Sequence, residues 1–145
     1  MAVSKLLDLH HVKPKPKLIE PLPWLGRRTA TTLYPNIYVP RSVYHDLRTA
    51  NPDVYNIALV LHEQEHWQHI KRDGTLPHYW RYITSRRFRF EEELAAIAPQ
   101  CRYLKRHGAE PMFDRRARLL SGWLYLWAVD YETALLRLQK IWDEV

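Results

Sequence analysis

The chain has 145 residues, which is enough for one domain with a hydrophobic core and leaves no room for a second domain. Its 46% hydrophobic and 26% charged residues are ordinary for a globular protein, and its one cysteine, Cys101, excludes an internal disulfide bond. The net charge of +6 indicates either an arginine-rich soluble surface or a polyanionic partner such as nucleic acid.

The apolar segments are too short to cross a membrane. The longest runs cover residues 57–61 and 123–129, far fewer than the roughly 20 residues that a spanning helix needs. Residues 1–11 lack the long apolar core of a signal peptide. We therefore expect a cytoplasmic protein, or a virion-associated one if a phage encodes it.

Residues 1–23 are predicted to form an extended arm rich in proline and lysine. These two residue types alternate at positions 13–17, and two more prolines follow at positions 21 and 23. Proline favours polyproline-like backbone without ladder hydrogen bonds. We expect the arm to lie across the domain or to contact assembly partners, and residues 24–145 to form a single domain.

A β-hairpin and a long helix are predicted next. Residues 29–39 are rich in β-prone side chains on both sides of a turn at positions 35–36. Asn51 is a good helix N-cap and Pro52 suits the first helical position. Apolar residues then recur at helical spacing until Gly74, which can end the helix in a left-handed conformation.

The C-terminal half is predicted to be helical after a connection. Pro99 lies inside one of its helices, where we expect a kink or a break. The predicted segments are a connection at 75–87 and helices at 86–107, 115–126 and 131–142, the last two capped by Asp114 and Asp130. Together the elements predict an α+β fold that is mainly helical, with a small β-hairpin before the longest helix.

Two histidines on the long predicted helix could share a metal ion. His62 and His66 are four residues apart, which places both imidazoles on one face of the helix, one turn from each other. Zinc favours nitrogen ligands in tetrahedral geometry, and catalytic zinc sites keep one position for water. The alternative is that both histidines bond to backbone or solvent without a metal.

A carboxylate between these histidines could serve as a general base. Glu63 stands where the His-Glu-x-x-His motif places the group that takes a proton from metal-activated water and passes it to the leaving amine. The same five residues also match the inverted pattern His-x-x-Glu-His, in which Glu65 would be the base. We favour Glu63 because the rest of the chain is similar to the ordinary zincins, and Glu65 would then be a charge facing solvent.

A zinc ion held by two histidines needs a third protein ligand. The extended metzincin motif fails, because position 72 is Arg rather than His. The other solution is a carboxylate on a following helix, and residues 91–93 are all glutamates. Glu93 is favoured because Ala96, three residues later, lets two helices approach closely. Glu92 is the next candidate, and all three glutamates could instead stabilise the start of their helix.

Other polar residues could assist at such a site. His69 falls on the same helix face as the two histidines and is predicted to form a hydrogen bond to one of the metal-binding side chains. Alternatively, it could bind the metal itself or be an ordinary polar residue near the pocket. Possible donors to a tetrahedral oxyanion are His78, Tyr79, Tyr82, Tyr125 and Tyr131.

The chain resembles a known group of proteins. Residues 59–69 look like the metal-binding helix of small gluzincin-like metallopeptidases of bacteria and phages. Residues 31–40 are similar to the strand pair before that helix, residues 82–96 to the helix with the third ligand, and residues 125–135 to the closing turn. The likeness covers roughly residues 28–138.

The resemblance implies a compact zincin-like α+β fold. It also implies zinc bound by His62, His66 and Glu93, with Glu63 as the base. An edge strand near Thr31 could then bind an extended peptide by strand addition. The chain departs from the family in two places, since position 69 is His where many relatives have Gln and position 97 is Ile where an aromatic residue is frequent.

Three functions are compatible with these observations. The first is a zinc-dependent peptidase acting on a peptide, a protein or an amide associated with peptidoglycan. The second is a non-enzymatic structural or assembly protein, such as a phage virion component. The third is nucleic-acid binding by an arginine-rich surface made of Arg86, Arg87, Arg89, Arg115, Arg116 and Arg118.

Overall fold

A computed structural model describes residues 7–19 and 29–145 of the protein. The fold is α+β, as the sequence predicts, and mostly helical with a small three-stranded sheet. None of the described helices combines the length and the apolar character needed to cross a membrane. The strands and α-helices in these residues are β1 (Val12–Pro14), β2 (Thr31–Leu33), β3 (Asn36–Val39), α1 (Arg41–Asp46), α2 (Val54–Asp73), α3 (Thr75–Thr84), α4 (Arg86–Arg106), α5 (Phe113–Leu120) and α6 (Tyr131–Glu144). Short 3-10 helices cover Leu9–His11, Lys17–Ile19 and Trp123–Tyr125.

The sheet has β3 at its centre. β1 is parallel to β3 on one side and β2 is antiparallel to it on the other. Ile37 of β3 pairs with Val12 of β1 and with Thr32 of β2. The predicted hairpin is confirmed, although its turn falls on positions 34–35 rather than 35–36. β2 is therefore a short strand at the edge of the described sheet.

Part of the predicted N-terminal arm belongs to the sheet. Leu7 is buried, and the N–H of Lys15, just after β1, donates to the carbonyl of Val39 at 2.9 Å. The prediction of a backbone without ladder hydrogen bonds is thus wrong here. Pro14 is tolerated because, among the described strands, β1 lies at the edge of the sheet, where a missing N–H need not face a neighbour. The predicted boundary at 23/24 and the prolines at 21 and 23 lie outside the described residues.

The long helix α2 begins at a different cap from the predicted one. The carboxylate of Asp53 accepts from the N–H of Tyr55 at 2.8 Å, so Asp53 is the N-cap and Asn51 lies before the helix. The end is as predicted, since Gly74 follows the last residue with a φ of 87°. Gly74 also precedes the first residue of α3, so a single residue joins the two helices.

The connection predicted at 75–87 is wrong, because most of it forms helix α3. Pro77 lies in the first turn of α3, where a missing N–H leaves no hydrogen bond unmade. Leu76 and Trp80 are 82% and 71% exposed, whereas the fully buried residue is the polar His78. Apolar periodicity therefore does not mark the buried side of this helix.

The predicted helix at 86–107 is confirmed as α4, and of the kink or break predicted at Pro99 the break does not occur. α4 continues through Pro99 without interruption, and Gly108 follows it at a φ of 65°. Packing of α4 against α2 and α6 compensates for the hydrogen bond that proline removes. Ala96 is fully buried in this helix.

The predicted N-cap is wrong for α5 and confirmed for α6. α5 ends at Leu120 instead of about 126, and Asp114 lies in its first turn instead of capping it. Leu126 instead has a φ of 51°, which no α-helix accommodates. α6 is capped as predicted, because the carboxylate of Asp130 accepts from the N–H of Thr133 at 2.9 Å.

Two apolar clusters stabilise the fold. One contains buried residues of α4, α5 and α6, among them Leu94, Ile97 and Leu138. The other joins the sheet to α1 and α2 and includes Ile37 and Val60. The contact between α2 and α4 connects the clusters and brings the predicted ligand residues of both helices together.

Candidate metal centre

Three predicted ligand residues converge between α2 and α4. Nε2 of His62 lies 3.2 Å from Nε2 of His66, and Oε2 and Oε1 of Glu93 lie 3.4 Å from these two nitrogens respectively. Zinc bonds of about 2.0–2.1 Å in a tetrahedron place neighbouring ligand atoms about 3.3 Å apart. The two contacts of Glu93 end on different oxygens, and one ligand atom from each residue lies within 4.8 Å of the other two, so the three side chains are close enough together to bind one zinc ion.

The burial of these groups also fits a metal ion. His62 and Glu93 are only 3% and 2% exposed. Within the described residues, Oε2 of Glu93 and Nδ1 of His62 are buried polar side-chain atoms without a hydrogen-bond partner. A buried carboxylate oxygen without a partner is costly. A cation among the three residues would satisfy Oε2, and two imidazoles with one carboxylate are a donor set that zinc accepts.

The charges of the three residues are strongly coupled. Burial lowers the pKa of His62, so this imidazole is neutral and ready to bind a metal. Burial also disfavours charge on His66, but the carboxylates of Glu93 and Glu92 outweigh it and raise the pKa of His66 well above its usual value. The pKa of Glu93 lies well below its usual value, because its attraction to His66 and His62 outweighs the effect of burial.

Glu92, the alternative ligand, lies behind His66 instead of beside the ligand centre. Its Oε1 is 3.1 Å from Nδ1 of His66 and 2.8 Å from Nδ1 of His69. Burial raises the pKa of Glu92, but these two imidazoles outweigh it and lower the pKa overall. Glu92 is thus an ionised carboxylate that fixes the ring of His66 from the side opposite its ligand nitrogen.

His69 and His78 extend this network away from the ligands. Nε2 of His69 lies 3.1 Å from Oε1 of Glu65, so His69 stands between Glu65 and Glu92. His78 is buried, with Nδ1 3.4 Å from Oδ2 of Asp73 and Nε2 3.7 Å from Oε1 of Glu92. His69 therefore lies behind the ligand set, whereas His78 also lines the cavity described next. Glu65 contacts His69 and does not line this cavity.

Glu63 lies in the same cavity as the three ligand residues. The cavity has a volume of about 240 Å³ and is partly open to solvent. The hydroxyl of Thr32, on β2, donates to Oε2 of Glu63 at 2.7 Å. This oriented carboxylate is the group that the sequence assigns as base. Thr32 is a site residue that the sequence analysis missed, because only the pairing of β2 with β3 brings it to α2.

The tyrosines predicted as oxyanion donors form hydrogen bonds with different partners. The hydroxyl of Tyr79 donates to the carbonyl of Thr32 at 2.8 Å and that of Tyr82 donates to Oε1 of Glu93 at 2.5 Å. Tyr131 lies at the surface and donates to Asp114 at 2.7 Å. The hydrogen bond from Tyr79 occupies the carbonyl of Thr32 at the edge of β2. A peptide that paired with this strand would have to displace this hydrogen bond.

Tyr125 is the tyrosine whose hydroxyl is not engaged by another described residue while its ring lines the cavity. The negative charge of Glu93, together with burial, raises the pKa of Tyr125, so its hydroxyl keeps its proton. It is therefore a hydrogen-bond donor beside the ligand set.

The predicted arginine-rich surface is smaller than expected. Arg89 is 2% exposed, so its assignment to the surface is wrong. Its guanidinium donates to the carbonyls of Tyr82 and Ile83 at the end of α3, and to that of Tyr125 at 2.8 Å. Buried arginine is stable here because backbone carbonyls satisfy its donors. Arg89 thereby fixes the 3-10 helix Trp123–Tyr125 against the end of α3.

No family model, curated protein or solved structure matches the chain.

Proposed function

We propose that the protein is a zinc-dependent peptidase, in which His62, His66 and Glu93 hold the metal. The observation that supports this most strongly is the spacing of 3.2 to 3.4 Å among the three donor side chains, beside an open cavity that also contains Glu63. Three protein ligands leave a fourth position for water or substrate, which is typical of catalytic zinc sites.

The roles of the residues follow from their contacts. A bound zinc ion would supply Lewis acidity, which polarises a carbonyl and makes water nucleophilic near neutral pH. Glu63, held at Oε2 by Thr32, would take the proton of the attacking water and deliver it to the leaving amine. Tyr125 would donate a hydrogen bond to the oxyanion that forms on the substrate carbonyl.

The test combines metal analysis with two matched substitutions in α2. We expect the purified protein to bind close to one equivalent of zinc and to cleave members of a peptide library. Glu63→Gln should keep the zinc and lose cleavage, because the amide cannot accept the proton. Glu65→Gln, which alters a residue that contacts His69, should keep both.

Two results would contradict this assignment. Cleavage that survives in Glu63→Gln but is lost in Glu65→Gln would make Glu65 the base, as in the inverted motif. A protein that binds no zinc, or whose Glu93→Ala variant binds zinc as tightly as the original chain, would remove the proposed metal centre.

The burial of the metal-binding side chains suggests a second candidate function. Groups as buried as His62 and Glu93 would let zinc crosslink α2 to α4 and stabilise the fold without catalysis. In that case a chelator should lower the melting temperature while no peptide in the library is cleaved. Cleavage that depends on Glu63 would exclude this purely structural role.

A further inference from the structure

A second cavity of about 230 Å³ adjoins the candidate metal centre. Ala30, His62, Glu63 and Tyr125 line both this cavity and the first one. A substrate whose reacting bond lies beside His62 and Glu63 would therefore extend into the second cavity. The residues that line only the second cavity decide which part of a substrate it accepts.

The second cavity carries two arginines from α5. Arg115 is exposed, and Arg116 is partly buried in the wall. Nη2 of Arg116 donates to Oε1 of the buried Gln100 at 2.7 Å, which holds the guanidinium in place. A guanidinium has five N–H donors, so this contact leaves other donors for a ligand.

The positive charge of this wall is only partly offset by the described part of the chain, where two arginines line the cavity with one carboxylate. There, neither Arg115 nor Arg116 forms an ion pair, whereas Arg118 on the same helix pairs with Asp114 at 3.0 Å. Glu63 supplies the one carboxylate among the described lining residues. A bound substrate with a carboxylate could form ion pairs with these two arginines.

We infer that the second cavity is a subsite for a carboxylate-bearing residue of the substrate, recognised by Arg115 and Arg116. The inference rests on the proposed peptidase function and specifies its substrate class. Arginine binds carboxylates through two parallel charge-assisted hydrogen bonds. The volume is below the roughly 300–1,000 Å³ of sites for drug-sized ligands, so the cavity suits a single residue. An acidic side chain and a chain terminus offer the same chemistry.

The experiment compares three hydroxamates on the zinc-loaded protein by calorimetry. All have the form HONH–CO–CH₂–CH(isobutyl)–CO–X, where X is glutamine amide, glutamic acid α-amide or glutamine with a free C-terminal carboxylate. The hydroxamate binds the metal in each, so the probes differ only in the carboxylate. We expect at least one acidic probe to bind about tenfold or more tightly than the neutral one, since a hydrogen bond to a charged group contributes that much. Which acidic probe gains affinity distinguishes a side chain from a chain terminus.

Variants then assign the preference to the arginines. Arg115→Gln with Arg116→Gln should bind all three probes equally. Arg102→Gln with Arg106→Gln removes the same charge from exposed positions outside both cavities and should keep the preference. Arg115→Gln alone alters an exposed residue, so its expected partial loss does not depend on the folding of the double variant.

The outcomes separate this inference from the proposed function. If all three probes bind the original chain equally, or if the preference survives in the Arg115 and Arg116 double variant, the subsite is wrong and the metal centre stands. If no probe binds the zinc-loaded protein, both the subsite and the proposed function are overturned.

Discussion

Nδ1 of His66 lies 3.1 Å from Oε1 of Glu92. This contact is on the opposite side of the imidazole from Nε2, which faces His62 and Glu93. A carboxylate in this position orients a ligand histidine and increases its basicity. Two successive glutamates on α4 therefore contact opposite sides of one imidazole.

The first prediction concerns this carboxylate. Glu92→Gln should weaken zinc binding by about 10- to 100-fold, because the amide orients His66 without the negative charge. Glu91→Gln is the matched control, since Glu91 is exposed and pairs with Arg137. Competition against a chromophoric chelator measures both affinities. Equal affinity in the two variants would show that Glu92 does not support the ligand.

The second prediction concerns pH. Because Glu93 and Glu92 raise the pKa of His66, the metal-free protein carries a proton on this ring at neutral pH. Zinc needs the neutral imidazole, so His66 should lose its proton on binding, with a further fraction released by the zinc-bound water near neutral pH. Zinc affinity should therefore rise with pH. His62, with a lowered pKa, adds no further proton release near neutral pH. Calorimetry in buffers of different ionisation enthalpy counts the protons, and a count of zero would contradict the charge assigned to His66.

The third prediction tests the support of Glu63. Thr32→Val keeps the shape of the side chain but removes the hydroxyl that donates to Oε2 of Glu63. Peptide cleavage should slow roughly tenfold, since a base that is not oriented transfers protons poorly. Zinc stoichiometry should not change. Thr32→Ser retains the hydroxyl and should retain the rate, so a loss of rate in Ser as large as that in Val would refute the role of this hydrogen bond.

The fourth prediction concerns the oxyanion donor. Tyr125→Phe should lower kcat about 100-fold with little effect on zinc content, because a donor to the transition state is removed. Tyr131→Phe is the comparison, since that hydroxyl donates to Asp114 at the surface. Steady-state kinetics on one cleaved peptide is sufficient. Unchanged kcat in Tyr125→Phe would assign the oxyanion to another group.

Local patterns predicted those parts of the site that lie on a single helix. The four-residue spacing fixes His62 and His66 on one face whatever surrounds them. The choice between Glu92 and Glu93 could not be made from periodicity, because it depends on how α4 is rotated against α2. In the structure that rotation directs Glu93 towards the histidines and places Glu92 behind His66.

Other errors have different causes. α3 was missed because Pro77 indicated a connection, although Leu76, Trp80 and Ile83 recur at helical spacing. These three residues are exposed, and the buried side carries His78. Arg89 was assigned to the surface because its burial depends on carbonyls of α3 and of the loop around Tyr125. Interactions between residues distant in sequence leave no local signal.

The contact between Tyr79 and Thr32 also bears on how the protein behaves in concentrated solution. Strand edges with unpaired carbonyls act as templates on which other chains polymerise. Here a side chain of α3 covers one such carbonyl, on a strand of only three residues. Tyr79, which lines the cavity, therefore also hinders edge-to-edge aggregation at this strand.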